Sequence, residues 1–166
     1  MELRMRSRRF IAGRPDWMAG AISGFVAGAI MMVLEMVWAA TELGGNPWIT
    51  THKIAAIVMG ESALRSMAEF NVGIVAVALV IHYLLGIFTG IVVAAIITGL
   101  RLDDNLSMVL LVGAVLGVVI YLANFYVMVN YFPWFADLRG SATMLAHMIF
   151  GMAAAAMYWR LGRIER

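Results

Sequence analysis

Four side chains able to do chemistry lie inside apolar runs of this sequence: Glu35 in "GFVAGAIMMVLE", His82 in "IHYLLGIFTG", Asn124 in "GAVLGVVIYLAN" and His147 in "AHMIFG". Two imidazoles from separate helices are the protein's share of a bis-histidine b-type haem. Gly86 and Gly151, one helical turn beyond His82 and His147, would leave room for its flat macrocycle. With Glu35, the two histidines also make a two-nitrogen, one-carboxylate set suited to a single transition metal such as Zn, Fe or Mn. Asn124 stands where a second carboxylate would be needed, which argues against a symmetric dinuclear centre. Without a cofactor, the same groups could carry protons or line a solute path. They could also bond only to one another and fix the packing of helices in lipid. The residues leave these alternatives open.

The elements that must position these groups are spanning helices. Of the 166 residues, 63% are hydrophobic and 13% charged, against roughly 25% charged in an ordinary soluble domain. Mean hydropathy is +0.90. Four apolar stretches, Trp17 to Ala40, Val72 to Leu100, Met108 to Tyr131 and Ala142 to Leu161, reach the length of about 20 residues that crosses a hydrocarbon core. The fold expected is all-α, an integral membrane four-helix bundle forming one transmembrane domain over residues 1–166. Residues 41–71 form the long loop, whose "WITTHKIAAIVMG" and "ESALRSMAEF" read as interfacial helical segments, with His52 a solvated loop histidine. Asp103, Asp104 and Asn105 read as the turn that starts the third span.

Charge sets the expected orientation. Arg4, Arg6, Arg8, Arg9, Arg14, Arg101, Arg160, Arg163 and Arg166 fall on one side, against Lys53, Arg65 and Arg139 on the other. Both termini are therefore expected to be cytoplasmic. Trp17, Tyr158 and Trp159 then belong to the inner interface and Trp38, Trp48 and Trp134 to the outer. "MELRMRSRRF" before an apolar run resembles the start of a secretory signal, but the run is long and contains Glu35, so a retained signal-anchor helix is expected. Cysteine is absent, which removes disulfides, thiolate metal sites and thiol nucleophiles. The chain lacks a phosphate-binding Gly-rich loop, a nucleophilic serine constellation and a polar basic tract, so hydrolase, nucleotide and nucleic-acid functions are not expected. The methionine-rich stretches "MMVLEM" and "MLAHMIFGM" read as adaptable core filling.

Small residues line the same helix faces as the polar groups. Glu35 follows Gly24 by eleven residues, which at about 100° per residue returns to within about 20° of the same face. Gly86 and Gly90 accompany His82, Gly113 and Gly117 precede Asn124, and Gly151 and Ala155 follow His147. The halves match: Gly, three residues, Gly, six residues and a polar group in spans one and three, then His and Gly in spans two and four. "NPWI" and "FPWF" come between the members of each pair. The pattern points to a tandem duplication of a two-helix hairpin about an axis along the membrane normal. It would set His82 opposite His147 and Glu35 opposite Asn124. Counted inward at about 1.5 Å per residue, His82 lies about 16 Å deep and the other three about 9 to 12 Å.

The glycine-striped first span, "NPWITTHKIAA", "HYLLGIFTG", "NFYVMVNYFPWFADLRG" and "AHMIFG" resemble small bacterial inner-membrane proteins of the YagU type. That resemblance implies a bacterial cytoplasmic membrane and no particular activity. The expectation is a non-enzymatic membrane component, an accessory subunit of a larger complex or a homo-oligomer, with a buried His/Glu/Asn site near the outer leaflet. A b-type haem carrier is the sharpest alternative, followed by a metal-binding protein and a small proton or solute transporter.

Overall fold

Asp16 opens the first helix because its Oδ1 accepts the Ala19 N–H at 2.9 Å, one of the donors that a helix start leaves unpaired. The computed structural model describes residues 14–41, 46–102 and 104–164. Helix α1 is Trp17–Thr41, α2 Trp48–Met59, α3 Val72–Gly99, α4 Leu106–Leu122 and α5 Ser141–Ile164. Asn71 caps α3 through the Gly73 and Ile74 amides, and Asn105 caps α4 through the Met108 amide. Helix α4 continues through a π turn, Ala123–Val127, and a 3-10 turn, Met128–Asn130. No strand occurs among the described residues.

Four of these elements, α1, α3, α4 with its extension to Asn130, and α5, are long and apolar enough to cross a membrane. The chain is an integral membrane protein built as a four-helix bundle. The signal-like segment with Arg4, Arg6, Arg8 and Arg9, together with Asp103 and Arg166, lies outside the described residues.

Glycine lets the helices meet backbone to backbone. A Cβ on Gly86 would stand 2.9 Å from the Gly24 carbonyl oxygen, and one on Gly20 would stand 2.9 Å from Ala94 Cβ. On Gly24 or Gly90 it would overlap the facing backbone outright. Helices α4 and α5 meet the same way. A Cβ on Gly113 would lie 2.5 Å from the Gly151 oxygen and 2.8 Å from Ala155 Cβ, and one on Gly117 would overlap the His147 carbonyl. Such close approach multiplies dispersion contacts where lipid supplies no hydrophobic drive. The two pairs join mainly through α1 against α5, while α3 touches α5 and barely meets α4. Their shared core is built from Ala19, Ala27, Met31, Val93, Ile97, Val109, Phe150 and Ala154.

The outer faces are apolar because lipid is their solvent. On α4, Leu111, Val115, Val119 and Leu122 are exposed, whereas Val109, Gly113, Gly117 and Tyr121 on the opposite stripe are buried. This is the i, i+4 periodicity of a helix with one face in protein and one in lipid.

At one end of the bundle lie the start of α1, the end of α5 and the turn between α3 and α4; at the other lie α2 and the segment joining α4 to α5. At the terminal end, Tyr158, expected as a belt residue, is buried within the bundle. Its hydroxyl lies 2.9 Å from Thr98 Oγ1 and accepts the Asp16 amide at 3.3 Å. At the loop end, α2 packs against the start of α3. Ala55 and Ala56 pack on Ile74 and Ala78 of α3, and α2 stops at Gly60, whose φ of 71° suits glycine.

His52 is a correction to the sequence reading. It is fully buried, with Nδ1 2.6 Å from the Ala63 carbonyl and Nε2 3.0 Å from the Glu69 carbonyl. Its ring ties α2 to the 3-10 turn Gly60–Leu64 and to the approach to α3, where carbonyls have no regular helical partner.

Two substitution sets test this packing. Gly24→Val and Gly113→Val should each destabilise the protein by about 1–3 kcal/mol through overpacking. Gly99→Ala, where an added Cβ meets nothing within 4 Å, should leave thermal stability in detergent unchanged. His52→Ala, which removes a buried ring from between the Ala63 and Glu69 carbonyls, should cost about 1–3 kcal/mol. In hydrogen exchange, that variant should show faster exchange over residues 60–71 and unchanged exchange in the spans.

Candidate functional site

The glycines of α1 end at Gly28, and two cavities begin beyond it on that helix. The larger, about 440 Å³, lies between the loop-end halves of α1 and α5. It is lined by Leu34, Glu35, Val37, Trp38 and Thr41 of α1, Ser141 to Thr143, Leu145, Ala146 and Ile149 of α5, and Asp137 and Arg139 of the connecting segment. The smaller, about 80 Å³, lies among α1, α2 and α3 and is bordered by Met32, Glu35, Thr51, Ile54, Ala78 and His82. Glu35 and Thr50 belong to both linings. The Glu35 carboxylate therefore stands at the wall between two spaces. Among the described residues it has neither a hydrogen bond nor an ion pair.

The other three polar groups of the spans are engaged within their own hairpins. His82 Nε2–H donates to the Gly28 carbonyl across the α1–α3 contact at 2.8 Å. Its ring meets Tyr83 edge-on. His147 Nδ1 lies 2.8 Å from the Thr143 carbonyl. A carbonyl only accepts, so Nδ1 carries the proton and Nε2 offers its lone pair. Asn124 Nδ2 stands 3.4 Å from that Nε2, in position to donate. Tyr121 and Phe125 enclose the His147 ring edge-on or nearly so.

The π turn explains how Asn124 reaches this place. One extra residue per turn rotates the chain and interrupts the hydrogen-bond ladder, leaving carbonyls for other donors. Arg139 Nε donates to the Phe125 oxygen at 2.6 Å, and Asn130 Nδ2 donates to the Val127 oxygen at 2.9 Å. The Arg139 guanidinium also sits 4.7 Å from the centre of the Tyr126 ring. Nearby, Tyr121 Oη accepts the Gly140 amide.

The roof of the site is a tie between the two loops. Lys53 is buried on α2 and donates from Nζ to Asp137 Oδ2 at 3.0 Å. Trp134 Nε1 donates to the Lys53 carbonyl at 3.0 Å, so this ring anchors one loop on the other. Lys53, Trp134 and His52 were read from sequence only as loop charge, belt residue and solvated histidine. Their contacts span 11 to 84 positions, and nothing local in the sequence signals them.

Against this geometry, a haem does not fit the residues proposed to hold it. His82 Nε2 is turned to a backbone oxygen, and His147 Nε2 faces Asn124. The space at Gly86 and Gly151 is filled by the backbones of α1 and α4. A metal set of Glu35, His82 and His147 is not assembled either, since no group of three His, Asp or Glu side chains able to hold an ion occurs among the described residues. His82 bonds to Gly28 and His147 contacts Asn124, each inside one hairpin, and among the described residues no hydrogen bond joins His82 to His147 or Glu35 to Asn124.

Fold and site together define an integral membrane helical protein with a polar-ended cleft between two glycine-packed hairpins. Compared with protein-family models, curated proteins and solved structures, the chain finds no match.

The Asn124–His147 contact can be measured directly. A double-mutant cycle with Asn124→Leu and His147→Phe should give a coupling of about 0.6 kcal/mol, the usual size for interhelical hydrogen bonds in membranes. A coupling indistinguishable from zero in steric-trap unfolding would remove that bond from the structure's supports.

Proposed function

We propose that this protein is a non-enzymatic binding component of a bacterial cytoplasmic membrane, with both termini cytoplasmic, that takes up a ligand in the cleft between its hairpins. It acts in a larger membrane complex or as a homo-oligomer, and membership of the YagU-type group belongs to the same proposal. The observation that carries the binding reading is Glu35, a carboxyl group without a partner among the described residues, on the wall of a cavity of about 440 Å³. Polar groups inside spans are expensive and usually mark function, and a cavity of this size is in the range that holds small molecules.

The hairpins themselves we attribute to a tandem duplication. Gly24 lies against Gly86 and Gly90, and Gly113 lies against Gly151 and Ala155, the pairs that the sequence repeat aligns.

Accessibility of Glu35 from lipid tests the binding reading. Dicyclohexylcarbodiimide, which partitions into apolar clefts and modifies carboxyl groups there, should give a single adduct located on Glu35 by peptide mass spectrometry. The adduct should disappear in Glu35→Gln, which keeps the fold. Labelling confined to the exposed Asp and Glu of the loops would mean that the cleft does not admit a ligand.

A further inference from the structure

The larger cavity changes character along the membrane normal. At its loop end it presents Thr41, Asp137, Arg139 and Ser141, whereas deeper along α1 and α5 it presents Leu34, Ala146 and Ile149. Its rim residues Val37, Trp38 and Leu145 are exposed apolar side chains, so the cleft opens sideways to the lipid. This is a polar end joined to an apolar trough, the same order as headgroup and chain in a lipid.

The charge at the polar end has a sign. Asp137 is tied to Lys53, which offsets its negative charge. Arg139 donates from Nε to the Phe125 carbonyl and lays its guanidinium over the Tyr126 ring, and it has no carboxylate partner among the described residues. A guanidinium with free N–H donors matches phosphate oxygens in pairs. Beside it begins α5, with no acidic side chain in its first turn, and the unpaired amides of a helix start add favourable donors for an anion.

Resting on the reading of the cleft as a binding site, we propose that its ligand is a phospholipid. Its phosphate diester sits at Arg139 and the start of α5, and one acyl chain lies in the trough between α1 and α5 past Val37 and Ala146. Glu35, at the wall about two turns below the loop end of α1, faces the ester region of the chain.

The test uses the full chain in nanodiscs holding phosphatidylglycerol, phosphatidylethanolamine and monogalactosyl diacylglycerol, a lipid with the same tails and no phosphate. After release into the gas phase, native mass spectrometry should find one phosphate-bearing lipid retained per chain, and the galactolipid not enriched. Arg139→Gln should lower that retention about tenfold, the loss expected for a charge-assisted contact. Val37→Trp, which fills the trough from an exposed position and leaves Arg139 intact, should lower it as well. Retention of the galactolipid equal to that of the phospholipids, or retention unchanged in Val37→Trp, overturns the proposal. Displacement of the lipid by inorganic phosphate alone, with no dependence on Val37, also overturns it and assigns the polar end to free phosphate. Carbodiimide labelling of Glu35 without selective lipid retention would leave the cleft reading standing and remove only the phospholipid.

Discussion

In a bilayer, helices gain little by hiding apolar side chains from one another, because lipid tails are as apolar as leucine. What remains is contact density, and this protein obtains it by removing side chains. Gly24 against Gly86 and Gly90, and Gly113 against Gly151, place backbone on backbone. The aligned weak contacts at such an interface are small singly and sum over its length. Both hairpins depend on them. The junction between hairpins depends on larger side chains, with Met31, Val93, Ile97 and Phe150 filling the space among α1, α3 and α5.

Much of this frame is written in the sequence, because its cause is local. Spans are read from apolar length, and the packed faces are read from glycine at intervals of four. The faces that the glycines mark are the ones the helices bury, and Asn105 starts the third span as its position suggests. What could not be read has a non-local cause. His52 looks like any polar residue of a loop until Ala63 and Glu69 place carbonyls on both sides of its ring. Tyr158 looks like an interfacial aromatic until Thr98 and Asp16 meet its hydroxyl. The π turn at Asn124 has no signature in the apolar run that contains it, yet it decides which way that side chain points.

The polar groups of the spans show the same division. Their inward direction follows from helix periodicity, and their partners do not. The matched sequence pattern suggests equivalent bonds for His82 and His147, but His82 donates to the Gly28 carbonyl while His147 bonds back to Thr143 and meets Asn124. The difference traces to the chain between the spans. The first hairpin is joined by α2, which wedges Thr51 and Ile54 beside His82 and Glu35. The second is joined by a short segment folded tightly over Phe125 by Arg139. Equal sequence positions thus face unequal surroundings, and α1 packs heavily on both hairpins whereas α4 barely meets the other one.

That inequality gives the cleft its position. The last glycine of the stripe on α1 is Gly28 and on α4 Gly117, and in each the polar residue follows by seven positions, about 10 Å along the axis. Up to the last glycine, backbones can touch. Beyond it, Met31, Met32 and Leu34 on α1 and Tyr121 and Phe125 on the other hairpin hold the helices apart. In the second hairpin, aromatic rings close around His147 and fill the gap. On α1 the space is filled only in part, by α2 from one side, so a cavity remains toward α5. Glu35 stands at that opening, seven residues past the point where glycine stops pinning the helices. The stripe that closes the bundle at one end therefore also determines where it opens at the other.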